Sequence, residues 1–183
     1  MAKIYVFLAD GCEEVEAMTP VDILRRAGHT VCTVSITGKD LVTGSNGIRL
    51  VADELLENVD GSDGDVFLLP GGMPGTLHLG DCKALTSMLK EKYQEGKRIA
   101  AICAAPSVLG TLGFLQGKKA VCYPGMEEKL TGAEVQSVPT VSDGNITTAK
   151  GVGAAIDFGL ELVRLLDGQE KALEIKEQIV YAG

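Results

Sequence analysis

The sequence predicts an α/β sandwich, a mainly parallel β-sheet covered by helices on both faces, and three observations carry that expectation. Short apolar stretches rich in β-branched residues alternate with stretches of helical pattern. The connections between them are short, and no low-complexity linker or internal repeat interrupts the chain. The 183 residues, 45% hydrophobic and 23% charged, suit one globular domain over residues 1–183 that buries a sizeable core without a metal or disulfide staple.

Taken in order, Lys3–Ala9 reads as a buried strand ended by Asp10-Gly11. Pro20–Ala27 follows a helical pattern, with Thr19 as N-cap, Pro20 at the first helical position and Gly28 as the stop. His29–Ile36 is a second strand, and Thr43–Leu50 a hairpin region turning at Ser45-Asn46-Gly47. Val66–Leu69 is a compact strand running into Pro70-Gly71-Gly72. One helix is expected from Thr76 to about Glu95, with Leu85, Met88 and Leu89 at helical spacing and Gly96 beyond its end. Arg98–Cys103 reads as a strand, Ala105–Leu115 as a helix that Pro106 can begin, and Lys119–Tyr123 as a strand. Val135–Ala149 forms a second hairpin region around Asp143-Gly144-Asn145, and helical stretches at Ala154–Leu166 and Glu170 to about Tyr181 follow.

Seventeen basic against 25 acidic residues give a net charge of −8, and no basic run offsets it, so a nucleic-acid partner is disfavoured. The apolar runs Ile4–Ala9 and Ile99–Ala105 fall far short of the roughly 20 residues a membrane span needs. No export signal is visible, so a cytoplasmic location and no membrane partner are expected. Five cysteines, Cys12, Cys32, Cys82, Cys103 and Cys122, make an odd set without C-x-x-C spacing, which argues against a disulfide framework and a zinc site. His29-x-x-Cys32 puts its two side chains on opposite faces of a strand, so no metal is expected there.

In open parallel sheets, ligands collect beyond the carboxyl ends of the strands. Those ends here deliver Glu13, Glu14 and Glu16, then Gly71-Gly72, then Cys103-Ala104. Cys103 stands where an apolar strand turns into a helix with almost no loop, a tight bend that exposes its central side chain and sets it near a helix N-terminus. Two readings stay open at this stage, a reactive thiolate or an inert buried cysteine. His29 and His78 are poorly placed to serve it, the first at the amino end of a strand and the second on the flank of the helix after the glycine turn. A carboxyl remains as the proton handler. Glu16, flanked by Val15, Ala17 and Met18, can be held protonated in apolar surroundings, whereas Glu13 and Glu14 read as a solvated acidic face. The N–H groups of Gly72 and Ala104 can form an oxyanion hole around whatever the sulfur attacks. Neither Gly71–Gly75 nor Gly151-Val152-Gly153 completes a dinucleotide-binding loop, so no nucleotide cofactor is expected.

Gly11-Cys12-Glu13-Glu14-Val15-Glu16, Pro20–Gly28, Leu69-Pro70-Gly71-Gly72, Ala100–Pro106 and Lys150-Gly151-Val152-Gly153 together resemble the ThiJ/PfpI superfamily, and within it the parkinsonism-associated deglycase branch. The resemblance implies a flavodoxin-like three-layer α/β/α sandwich, a homodimer, and no cofactor. It places Cys103 on the family's oxidation-prone nucleophile, Glu16 on the glutamate paired with it, and Gly72 and Ala104 on the backbone donors. It implies glyoxalase activity on small 2-oxoaldehydes, repair of glycated proteins, and redox sensing through a cysteine sulfinate. Tyr123 stands where the best-known member of the family has a histidine, while other members carry an aromatic residue there; a phenol is a poor base at neutral pH, so Tyr123 is expected as a site wall and hydrogen-bond donor. Asn46 stands where the family has one arginine of an anion pocket, and Arg26 matches the other.

Overall fold

The structure, a computed structural model, describes residues 1–182. Its strands are β1 (Lys3–Leu8), β2 (Thr30–Ser35), β3 (Leu41–Thr43), β4 (Arg49–Val51), β5 (Glu54–Leu55), β6 (Val66–Leu69), β7 (Arg98–Ile102), β8 (Lys119–Ala120), β9 (Glu134–Val135), β10 (Thr140–Asp143) and β11 (Ile146–Ala149). Its helices are α1 (Glu14–Arg26), α2 (Gly75–Asp81), α3 (Lys83–Gln94), α4 (Pro106–Thr111), α5 (Ala155–Asp167) and α6 (Gln169–Gln178). Among the described residues a seven-stranded sheet runs in the order β10-β11-β7-β6-β1-β2-β5, parallel throughout except for the β10–β11 hairpin at one edge. The order β2-β1-β6-β7-β11 is that of a flavodoxin-like sheet, and the chain reverses its direction of growth between β1 and β6.

Strand alternation divides the interior into two cores. Ile4, Val6 and Leu8 of β1, with Val66, Leu68, Ala100 and Ile102, face Ala17, Val21 and Leu24 of α1 and Phe158, Leu162 and Val163 of α5. Tyr5, Phe7 and Ala9, with Phe67, Leu69, Ile99 and Ala101, face Leu79 of α2, Leu85 and Leu89 of α3 and Leu109 of α4. Burial on both faces is why these strands read as continuous apolar runs. No helix among the described residues is long and apolar enough to cross a membrane.

Four expectations are corrected. Helix α1 begins six residues earlier than Pro20, because the Glu13 carboxylate caps it by accepting the Glu16 N–H at 2.7 Å, so Thr19 is not the N-cap. Pro20 lies inside the helix, where the one N–H it lacks would have bonded back to Glu16. The single helix over 76–95 is two, α2 and α3, broken at Cys82, whose extended backbone follows the weak helix formers Gly80 and Asp81. The strand expected over Lys119–Tyr123 is only Lys119–Ala120, and it pairs with β9 outside the main sheet. Both hairpins form, β3 with β4 and β10 with β11, and Gly28, just beyond the end of α1, lies in the left-handed region as a helix stop requires.

Candidate active site

The carboxyl ends of β1, β6, β7 and β11 open onto one cleft of about 670 Å³ lined by Glu16, Gly72, Cys103, Tyr123, Gly151 and neighbouring residues. A second cleft of about 590 Å³, over α5, α6 and β10, contains no thiol.

Cys103 is the residue after β7, and its backbone sits at φ +65°, a left-handed conformation that costs a non-glycine residue about 1–3 kcal/mol. The bend is pinned on both sides. Cys103 N–H donates to the Ala149 carbonyl at 2.9 Å, and Tyr123 N–H donates to the Cys103 carbonyl at 2.8 Å. Held this way, the half-buried side chain lines the cleft instead of joining the sheet's alternation.

Glu16 is fully buried in the first turn of α1. Its Oε2 accepts the Gly71 N–H at 3.0 Å. Its Oε1 is buried without a hydrogen-bond partner of good geometry. The Cys103 thiol and the Val152 N–H nonetheless approach the carboxyl closely enough to favour its charged form. Gly71 fits between Glu16 and Cys103 only because it is glycine: a Cβ there would stand 2.5 Å from Glu16 Oε2 and 2.6 Å from Cys103 Cβ. Gly72, at φ +86°, has Cys12, Glu13 and the Gly11 carbonyl packed against it, so it too has no room for a side chain.

Burial raises both acids of this pair. It pushes Glu16 up to about 7, against the opposing effect of the Cys103 hydrogen bond. It pushes the Cys103 thiol up to about 12, helped by the Glu16 charge and by the hydrogen bond the thiol gives to that carboxylate. The Ala104 and Gly72 N–H groups face the sulfur and act in the opposite sense. The two groups therefore titrate as one unit: one proton leaves near 7, and the last stays until about 12. Between those steps the pair keeps one proton. The helix α4 begins only at Pro106, and burial is the largest influence on the sulfur.

Of the other expected site residues, Gly71, Gly72, Ala104 and Tyr123 gather around the pair. Arg26 and Asn46 do not. Arg26 pairs with Asp22 on the exposed side of α1, and Asn46 gives its side-chain and backbone N–H groups to Glu14 at 2.9 and 2.8 Å. Glu14 is buried, not solvated as expected; burial works to raise its pKa, but hydrogen bonds from Asn46 and Ile48 outweigh it and hold it below the usual range. Neither histidine lines the cleft. His29 is buried 2.8 Å from Asp167, at the opposite end of the strands, and His78 Nδ1 lies 2.8 Å from the Asp10 carbonyl. Cys12 and Cys122 are buried thiols pushed up to about 11 by burial, and Cys32 is raised likewise. No cluster of three or more His, Cys, Asp or Glu able to hold a metal occurs among the described residues.

Sequence reasoning missed Lys150, Val152, Asp157, Ser137, Val138 and Pro139 as lining residues. The rule that located Cys103 could have found Lys150, which directly follows Ala149 at the end of β11. Val138 and Pro139 arrive from the segment before β10 and carry no local signal.

Residues 2–165 match the DJ-1/PfpI family. The chain is 41% identical to protein DJ-1 homolog B of Arabidopsis thaliana, over 97% of this chain and 41% of that protein, so it spans about two fifths of that relative's length. It is 30% identical to a Caenorhabditis elegans protein named a glutathione-independent glyoxalase, over 94% of this chain and 92% of that one. The oxidised DJ-1 of Toxoplasma gondii superposes with a TM-score of 0.96 at 39% identity, each chain covered in full. With a family match over residues 2–165 and a relative 30% identical over nearly the whole of both chains, the chain belongs to the DJ-1/PfpI family.

Proposed function

We propose that this protein is a cysteine-dependent glyoxalase that converts small 2-oxoaldehydes such as methylglyoxal into 2-hydroxy acids. The observation that supports this most is the half-buried Cys103 sulfur in the same cleft as the buried Glu16 carboxyl, with the Gly72 and Ala104 N–H groups facing the sulfur. The sulfur adds to the aldehyde carbon, forming a C–S bond, and the resulting oxyanion is held by the Gly72 and Ala104 N–H groups before taking the proton kept by Glu16. Glu16, now a carboxylate, removes the hydrogen of that carbon as a proton and returns it to the neighbouring carbonyl carbon, while the hydroxyl proton of the first carbon passes to the oxygen of the second. The first carbon is oxidised by two electrons and the second reduced by two, so the step balances without an external oxidant or reductant. Water then adds to the thioester, the C–S bond breaks, and the 2-hydroxy acid leaves with the sulfur and carboxyl back in their one-proton state. The same addition chemistry extends to methylglyoxal adducts on protein side chains.

Cys103→Ser and Glu16→Ala are each expected to abolish lactate formation from methylglyoxal without unfolding the protein, as the far-UV CD spectrum checks. Full activity in either variant overturns the mechanism. A second reading, a redox-responsive protein acting through Cys103 oxidation, draws support from the oxidised form in which the Toxoplasma relative was solved. It predicts that mild peroxide converts Cys103 to the sulfinic acid before Cys12, Cys32, Cys82 or Cys122 reacts.

A further inference from the structure

The cleft is far roomier than a three-carbon oxoaldehyde requires. Its volume of about 670 Å³ falls in the range that encloses drug-sized ligands. Part of its wall is apolar and uncovered: Tyr123, Val138 and Val152 are 53%, 39% and 46% exposed, with Pro124 and Pro139 beside them. Its charges are one-sided, with the carboxyl groups of Glu13, Glu16 and Asp157 against a single lysine, Lys150, among the described residues. That balance repels phosphorylated or carboxylated aldehydes and helps expel a 2-hydroxy acid anion once formed.

The corner next to the reactive pair is left open by Gly151. A Cβ at that position would lie 3.9 Å from Cys103 Sγ, 3.9 Å from Glu16 Oε1 and 3.5 Å from Tyr123 Cδ2, all ordinary contact distances. The backbone there is extended, at φ 163°, and any residue can adopt it. Neither strain nor collision demands glycine, so what its missing side chain provides is space equidistant from the nucleophile and the proton carrier.

We propose that the cleft selects uncharged 2-oxoaldehydes bearing an aromatic or branched apolar group. The aldehyde carbon occupies the space above Gly151 and the apolar group lies against Tyr123, Val138 and Val152. This rests on the glyoxalase reading and uses the same bond changes, in which the apolar group takes no part.

Steady-state kinetics with phenylglyoxal and methylglyoxal test it, on wild type, Gly151→Ala and the double variant Val138→Asn/Val152→Asn. Wild-type kcat/KM is expected to be at least about tenfold higher for phenylglyoxal, within the discrimination an apolar pocket can supply. The double variant is expected to lower the phenylglyoxal-to-methylglyoxal ratio at least about fivefold. Gly151→Ala, folded with an unchanged Tm, is expected to lose at least about tenfold on both substrates. Cys103-dependent turnover with a ratio of one or less, a ratio untouched in the double variant, or full activity in Gly151→Ala overturns the inference and leaves the glyoxalase reading standing. Turnover of neither aldehyde by wild type overturns both.

Discussion

The Gly71 N–H donates to Glu16 Oε2 at 3.0 Å across 55 residues of sequence, joining the carboxyl end of β6 to the first turn of α1. Because a Cβ on Gly71 would press against both Glu16 and Cys103, this contact fixes the spacing of the two side chains. Gly71→Ala is therefore expected to cost about 1–3 kcal/mol in stability, as overpacking does, and at least about 100-fold in kcat/KM, as a misplaced reacting group does. Chemical denaturation and steady-state kinetics check the two effects; a fully active Gly71→Ala protein contradicts this role.

Glu16 also sets a pH dependence of folding. In the unfolded chain it ionises near the ordinary 4.5, but in the folded protein near 7, chiefly because it is buried. Between those values the folded state keeps a proton that the unfolded chain has lost, so this group's contribution to stability falls as pH rises through the window. Glu16→Gln removes the effect: wild type and variant are expected to have similar Tm below pH 4.5, with the variant higher at pH 8. Parallel Tm-versus-pH curves would show that the carboxyl is not held protonated by the fold.

Stability itself rests on the aromatic cluster on the other face of the sheet. Phe67 is fully buried, stacked on Phe7 at 6.3 Å and set against Tyr5 at 5.8 Å. Phe67→Ala is expected to cost about 3–5 kcal/mol by urea denaturation. Glyoxalase kcat/KM per folded molecule should be little changed, because Phe67 does not line the cleft.

A homodimer is proposed, supported by exposed apolar side chains at Val15 of α1, Ile48 in the hairpin turn and Val51 of β4. Sedimentation equilibrium at micromolar protein is expected to give twice the chain mass, and Ile48→Lys/Val51→Lys to give the monomer. A wild-type monomer under those conditions removes the proposal.

The strand-end rule was enough to bring Glu16, Gly71-Gly72 and Cys103 together from sequence, because in a parallel sheet each carboxyl end lies at the same edge. The apolar runs of β1, β2, β6 and β7 were equally legible, being buried on both faces. The start of α1 was not, since the proline signal at Pro20 outweighed a glutamate cap at Glu13, a less common capping residue. That Arg26 and Asn46 lie away from the cleft was not legible either, for a different reason. Arg26 takes the i,i+4 partner that helical spacing offers it, Asp22, whereas the Asn46–Glu14 contact depends on the placement of the β3–β4 hairpin against α1, which no local pattern encodes.

The shared proton is tested most directly by the rate at which iodoacetamide alkylates Cys103, followed by mass spectrometry of its peptide across pH. In wild type the rate is expected to rise with an inflection near 7, where the pair loses its first proton. In Glu16→Gln, which cannot take the sulfur's proton, the inflection is expected to move upward. The same inflection in both proteins, or a wild-type thiol that stays unreactive until about pH 12, would mean that sulfur and carboxyl do not act as one acid.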